Sequence, residues 1–389
     1  MSIRKKIAII GSTGSVGKTT LSIIHKYPKK FKVEFLACDK NFDTIVSQAK
    51  KFLPNYIYVN NKEIFDKLKK KKFKKKINFV NNYDVIKKIF KLKKKFDKTI
   101  LSISSLDGLK FAFDFVKFSK EILIANKESI VCGGNILLRE AEKYNCKIKS
   151  IDSEHYCLSQ FIKKNEDENI DSIYLTASGG PFLNMKKNSY NKASIHKVTN
   201  HPNWSMGKKI SVDSATMVNK VLEIIEAHVL FGLPFDKIKI KIHKESLVHS
   251  AIVLKNGLVN LVMHDTSMTI PIRNSLFDNE FCNQSSNFFK SNKKFELTFN
   301  ELELKKFKII KTAYKIIKMG HSSWILFNVF NDYLVKKFLL KKIYFYEIEQ
   351  NLIKVFNNKH ILSYCKKNLN TIDDINRTIH FAMEKCKKL

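Results

Sequence analysis

No stretch of this sequence stays apolar for the roughly eighteen residues that a membrane-spanning helix needs, and Ile7 to Ile10 is too short for a signal-peptide core. The cytoplasm, with no membrane partner, is the expected location. Paired cysteines are missing too. The seven cysteines, Cys38, Cys132, Cys146, Cys157, Cys282, Cys365 and Cys386, are odd in number and never spaced as CxxC. That excludes a disulfide framework and a cysteine-built zinc site, and predicts reduced thiols in the core or on the surface. Acidic residues are few, 36 against 71 Lys and Arg, for a net charge of +35. Such an excess on its own would point to nucleic acid or a membrane surface. No aromatic-interleaved basic motif accompanies it, however, and runs such as Lys69 to Lys72, Lys74 to Lys76 and Lys93 to Lys95 read as solvated helix faces. No specific nucleic-acid partner is expected, and drift of a genome toward A and T accounts for lysine travelling with Asn, Ile and Phe. No internal repeat is visible.

What is present is enough for a globular chain of two or three domains: 389 residues, 44% of them hydrophobic. Up to about residue 150, short apolar runs alternate with longer charged segments. Ile7 to Ile10, Val33 to Ala37, Ile57 to Val59, Lys98 to Ile103 and Glu121 to Ala125 read as strands, which predicts a parallel sheet with helices on both faces. Most of the Pro and His follow, between 151 and about 285. Beyond about 300, Leu302, Leu304, Phe307, Ile309, Ile310, Tyr314, Ile316 and Ile317 recur at helical spacing and Gly320 reads as a stop, predicting a small helical domain without chemistry of its own.

Gly11-Ser12-Thr13-Gly14-Ser15-Val16-Gly17 follows the first strand and opens a helix. Glycines let the backbone approach a pyrophosphate, and a helix N-terminus offers free N–H groups, so this turn predicts a dinucleotide site. Asp39 stands where an acid would bind a ribose 2′-hydroxyl, and Lys40 where a cation would pair with a 2′-phosphate; the residues leave NAD or NADP open.

A second constellation carries acids. Asp152 and Glu154 follow a strand-like Cys146 to Lys149 and, if extended, would point to one face. Glu223 falls on a segment read as a helix starting near Ser214 or Thr216, with Lys220 and Asn219 one turn before it on the same side. Three carboxylates without a thiolate or imidazole cluster suit a hard ion, Mg²⁺ or Mn²⁺. Ser178-Gly179-Gly180, His201, Ser214, Asn219 and Lys220 add donors for an anion and suggest a phosphorylated substrate. Trp204, in the polar loop Asn200 to Gly207, is either a core anchor or part of a mobile cover.

The motifs GSTGSVG at 11–17, ANKES at 125–129, DSEH at 152–155, SGGPF at 178–182 and HPNWSMGKKISVDSATMVNK at 201–220 resemble the 1-deoxy-D-xylulose 5-phosphate reductoisomerase family across nearly the whole chain. The resemblance implies an α/β fold: a Rossmann-like NADPH-binding domain over 1–150, an α+β catalytic and dimerisation domain over 151–290, a linker over 291–311 and a helical domain over 312–389. It implies that Thr13, Gly14, Ser15, Val16, Lys40, Asn41, Asn126, Glu128 and Gly207 contact NADPH, and that Asp152, Glu154 and Glu223 hold Mg²⁺ or Mn²⁺. Lys127, Ser153, Glu154, Ser178, His201, Ser214, Asn219, Lys220 and Glu223 would hold the phosphorylated sugar substrate, with Glu154, Lys127 and Glu223 acting in the reaction. A homodimer in non-mevalonate isoprenoid biosynthesis is implied as well. The chain departs from the family at Asp39, where Gly is usual, at Ser104-Ser105-Leu106-Asp107-Gly108, and at Asn328-Val329-Phe330-Asn331-Asp332. Two rivals make different demands: a metal-independent Rossmann dehydrogenase would use Cys157 or a His, and a basic nucleic-acid protein would show strongly salt-dependent duplex binding.

Overall fold

The computed structural model describes residues 4–162, 169–204, 206–279 and 296–388; Cys282 and Ser205 lie outside them. The described residues form two compact units.

The first unit is a seven-stranded sheet of β1 (Lys5–Ile10), β2 (Phe31–Cys38), β3 (Tyr56–Val59), β4 (Asn78–Val80), β5 (Lys98–Leu101), β6 (Glu121–Ile124) and β7 (Lys147–Ser150), paired in parallel in the order β4-β3-β2-β1-β5-β6-β7. Parallel strands covered by helices on both faces need side chains apolar on both faces, and Ile7 to Ile10 are completely buried. All five apolar runs read as strands are strands. β4 was not legible: three residues long, with an exposed Asn, it carries no apolar run. The strand order reverses direction at β1, between β2 and β5, so the glycine turn after β1 sits at the switch point where α/β sheets bind ligands. Late in the chain the helix Thr269–Leu276 returns to this unit and packs on the helix Ser15–Lys26. It brings Ile272, Leu276 and the following Phe277 into the core, with the Phe277 ring edge-on to Tyr27 at 4.9 Å and to Phe31 at 5.0 Å.

The second unit holds a mixed sheet of β8 (Ile170–Ala177), β9 (Ile238–Ile242), β10 (Val248–Leu254) and β11 (Val259–Met263) in the order β11-β10-β8-β9, with only the β8–β9 pair parallel. The helix Val218–Phe231 packs on β8 and β9 and is buried around most of its circumference, as its apolar run requires. Met217, with φ of 65°, separates it from the helix Lys208–Thr216. The single helix starting near Ser214 or Thr216 is therefore two, and Ser214 lies in the last turn of the first. A further correction concerns Leu302 and Leu304, which precede the helix Lys308–Ile317. Gly320, at φ of 114°, ends the connection and opens the helix His321–Leu339, around which the helices Phe345–Val355, Lys359–Cys365 and Ile372–Cys386 pack. Among the described residues no helix is long and apolar enough to cross a membrane.

Candidate active site

In the first unit, Gly11 and Ser12 both donate backbone N–H to Ala37 at 3.0 Å, turning the chain sharply after β1. Gly11 has φ of 88°, and a Cβ added at Gly17 would lie 2.5 Å from the Gly11 carbonyl oxygen, so the turn closes only with glycine at both positions. Thr13 and Gly14 cross the turn, and Ser15 and Val16 open the helix Ser15–Lys26. Its first turn has no acidic residue and no side-chain cap, which leaves its N–H groups to an anion. Lys40 and Asp39 are exposed after β2, the latter accepting from Asn60 at 3.1 Å. Asn41 caps the helix Phe42–Phe52 by accepting the Thr44 N–H at 3.2 Å. Asn126 is buried and donates to the Ser105 carbonyl at 3.0 Å, fixing the turn at 104–108.

The second unit gathers the charged residues. Lys127 and Glu128 begin the helical segment Lys127–Lys143, and Glu154 sits in the first turn of the helix Ser153–Leu158. Glu223 and Lys220 lie one turn apart on the helix Val218–Phe231 and are almost completely buried. Glu223 Oε1 accepts from Lys127 Nζ at 2.8 Å and from Asn219 Nδ2; Lys220 Nζ bridges Glu223 Oε2 and Glu154 Oε1, the latter at 2.7 Å; Ser153 Oγ donates to Glu154. Burial works against the Lys220 charge, yet Glu154 and Glu223 hold its pKa above the usual lysine range. Asp152 is bonded directly to Ser153, and its carboxylate, with those of Glu154 and Glu223, offers oxygens that all lie within 4.8 Å of one another. The extended arrangement read for Asp152 and Glu154 is not how they converge: one precedes a helix and the other stands in its first turn. An all-oxygen set of three carboxylates suits a hard divalent cation.

His155 makes a second grouping with Asp152 and Glu226, but its Nε2–H donates to the Glu223 carbonyl at 2.9 Å and its Nδ1 faces Glu226 at 3.4 Å, so the ring braces the helix that carries Glu223. Cys157 is completely buried.

Ser178 and His201 form a separate pair. His201 Nδ1 accepts the backbone N–H groups of Asn203 at 3.2 Å and Trp204 at 3.1 Å, and burial lowers its pKa to about 4, so the ring is neutral and Nε2 carries the proton. Nε2 then donates to Ser178 Oγ at 2.8 Å, which also accepts the Gly180 N–H at 3.1 Å. Both acceptor positions of the Ser178 oxygen are used, and its own proton is left to donate to an anion. Lys306 Nζ, donating to the carbonyls of Phe182, Leu183 and Met185 at 2.7–2.8 Å, pins the chain just after this cradle. Trp204 is half-buried, its ring edge-on to His249 at 5.9 Å. Gly207 caps the helix Lys208–Thr216.

Sequence reasoning missed Lys209, Asp213, Asn331 and Asp332. Lys209 pairs with Glu128, with Asp213 at 2.8 Å and with Asp332 at 3.0 Å, so the helical C-terminal segment does contribute to this charged region. None of these residues sits in a motif that announces charge pairing, and one lysine among 71 Lys and Arg gives no signal.

A dinucleotide-type turn at the switch point of a parallel sheet and, in the second unit, a centre of carboxylates, lysines and anion donors define a class, the nucleotide-dependent oxidoreductases acting on phosphorylated substrates. Family models described as 1-deoxy-D-xylulose 5-phosphate reductoisomerase match residues 7–134, its C-terminal domain 148–231, and the DXP reductoisomerase C-terminal domain 263–384. The chain belongs to the 1-deoxy-D-xylulose 5-phosphate reductoisomerase family. The enzyme of that name from Pelagibacter ubique is 40% identical over 376 residues, 95% of this chain and 96% of the relative, and that of Sulfurihydrogenibium sp. is 36% identical over 98% of both. A crystal structure of DOX-P reductoisomerase in complex with NADPH, fosmidomycin and magnesium superposes with a TM-score of 0.89 at 28% identity, covering 99% of this chain and 98% of that one. The Zymomonas mobilis enzyme in complex with NADPH gives 0.86 at 25% identity, covering 99% and 98%.

Proposed function

We infer that this chain converts 1-deoxy-D-xylulose 5-phosphate to 2-C-methyl-D-erythritol 4-phosphate, using NADPH and a divalent cation, as a step of non-mevalonate isoprenoid synthesis. The observation that carries this reading in the structure is the convergence of Asp152, Glu154 and Glu223, with Lys127 and Lys220 bonded to the same carboxylates. Three close carboxylates, Glu223 buried and Asp152 and Glu154 partly so, repel one another, and neighbouring cations relieve the cost.

In the roles we propose, Asp152, Glu154 and Glu223 hold Mg²⁺, with Mn²⁺ able to replace it. A cation there supplies Lewis-acid polarisation of the substrate's carbonyl and neighbouring hydroxyl oxygens, and NADPH supplies the hydride that reduces the rearranged aldehyde. Glu154 takes the proton of a substrate hydroxyl, and Lys127 offsets charge on the substrate oxygens. Ser153, Asn219 and Lys220 orient the sugar. Ser178, donating its free proton, holds the phosphate with Ser214 and with neutral His201, which fixes Ser178. Thr13, Gly14, Ser15, Val16, Lys40, Asn41, Asn126, Glu128 and Gly207 contact NADPH. The division at 1–150, 151–290, 291–311 and 312–389 belongs to the same proposal.

A homodimer and a cytoplasmic location complete the reading. Exposed Val259 and Leu261 on the edge strand β11, with exposed Leu258 just before it, support a dimer built there, since such an edge invites pairing. Buried free thiols at Cys38, Cys132, Cys146, Cys157, Cys365 and Cys386 suit a reducing compartment. The test is NADPH oxidation in the presence of deoxyxylulose phosphate, with Mg²⁺, with Mn²⁺ and with excess chelator. Turnover that needs the metal supports the reading, and oxidation that proceeds unchanged in chelator overturns it.

A further inference from the structure

The second unit holds another buried charge cluster, of which the proposed function uses only Glu128. Lys209 Nζ meets Asp213 Oδ2 at 2.8 Å, Asp332 Oδ1 at 3.0 Å and Glu128 Oε1, while Asn331 Nδ2 donates to the other Asp213 oxygen at 2.8 Å. Three elements meet on one ammonium: the segment Lys127–Lys143, the helix Lys208–Thr216 and the helix His321–Leu339. None of the four charged side chains is more than 14% exposed. Burial opposes the Lys209 charge, but Asp213, Glu128 and Asp332 hold its pKa well above the usual range, so it stays protonated. Burial likewise works against the charge of Glu128, and Lys209 overcomes it and lowers the pKa.

Glu128 is the neighbour of Lys127 in the opening turn of its helix, and Lys127 Nζ lies 2.8 Å from Glu223. A hydrogen-bonded turn moves as a piece, so an anchor on Glu128 is an anchor on the Lys127 backbone. Charges of alternating sign run without a gap from Asp332 through Lys209 to Glu128, then from Lys127 through Glu223 and Lys220 to Glu154.

We propose that Lys209 is a positioning residue: by gathering Glu128, Asp213 and Asp332 it fixes the first turn of the helical segment Lys127–Lys143, and so sets where the Lys127 ammonium meets Glu223. The proposal rests on the assignment of Lys127 to the reaction. One ammonium among three carboxylates leaves the cluster short of positive charge, and Asp332 absorbs the difference. Burial pushes its carboxyl up to about 6, Lys209 opposing and Glu128 and Asp213 adding to the rise. The buried Cys132 thiol also faces this cluster and stays neutral. As pH rises through about 6, Asp332 gains its charge and tightens the hold on Lys209.

The experiment measures kcat and kcat/KM against pH, with Mg²⁺ present, and melting temperature, for the wild type, Lys209→Met, Asp332→Asn and Lys127→Ala. Lys209→Met is expected to lower kcat by roughly tenfold or more, since a displacement of about an ångström costs that much. Asp332→Asn is expected to lose the change in kcat near pH 6 and to melt within a few degrees of the wild type. Should Lys209→Met fail to fold, the pH profile of Asp332→Asn decides. A folded Lys209→Met with wild-type kcat, or an Asp332→Asn profile that keeps the wild-type inflection, overturns the proposal. Wild-type kcat in Lys127→Ala overturns instead the reading on which it rests.

Discussion

Glu223 accepts from Lys127 and Asn219 through one oxygen and pairs with Lys220 through the other, so a change of one atom there is felt by the whole centre. Glu223→Gln should weaken metal binding, raising the metal concentration for half-maximal turnover, and lower kcat by at least about a hundredfold, on the scale of losing one preorganised charge, while NADPH titration by fluorescence stays close to the wild type. Ser178→Ala, which deletes the proton left to donate, should raise the substrate KM by roughly tenfold without moving the melting temperature. At Trp204, half-buried and edge-on to His249, alanine should lower kcat/KM in a protein that still folds; a large fall in melting temperature would instead mark a core anchor. Asp39→Gly should widen the preference for NADPH over NADH in paired kcat/KM measurements, because an exposed acid beside Lys40 opposes a 2′-phosphate. At this scale the sequence was most legible where chemistry is concentrated in short motifs, as at Asp152 to His155 and His201 to Lys220. Lys209 lies inside the 201–220 motif, yet its pairing was invisible because its partners come from positions 128, 213 and 332, far apart in the chain. The Ser178–His201 pair was assembled from two separate motifs, and only the N–H groups of Asn203 and Trp204 reveal which ring nitrogen carries the proton.

Among the elements, the glycine turn after β1 is the most constrained. A methyl at Gly17 would meet the Gly11 carbonyl at 2.5 Å and the Ser12 backbone at 2.6 Å, so the turn would have to shift. Gly17→Ala should therefore raise the KM for NADPH by roughly tenfold or more and lower the melting temperature, since backbone, not a flexible side chain, must give way. The strands of the first unit were readable because buried parallel strands are apolar on both faces. What failed was junctions. Nothing in Ser214 to Asn219 signals that Met217 takes a left-handed conformation and splits one apparent helix into two. Nor does the sequence around Asp152 and Glu154 announce that a helix starts at Ser153, between the two acids.

For the molecule as a whole, burial sets the response to acid. His201, His249 and His321 are each pushed down to about 4, against about 6.5 in an unfolded chain. As pH falls below about 6.5 the unfolded chain takes up protons that the folded one refuses, so stability is full above that pH and drains away toward 4. Asp332, raised to about 6, acts with the opposite sign over part of the same window, but it is one group against three. Melting temperature should fall between about pH 7.5 and 5, and an unchanged or higher value at the lower pH would contradict neutral buried imidazoles. The return of the helix Thr269–Leu276 to the first unit has a consequence for synthesis. Ile272, Leu276 and Phe277 fill a core whose sheet ends at Ser150, so a ribosome must make more than a hundred further residues before that core can close. Until then Tyr27 and Phe31 lack their partner ring, and the nascent nucleotide-binding unit exposes an apolar gap to chaperones and proteases. A truncation ending at residue 150 would keep that gap permanently and should be insoluble when expressed alone, whereas a fusion that supplies the segment 268–279 through a short linker should restore a soluble sheet.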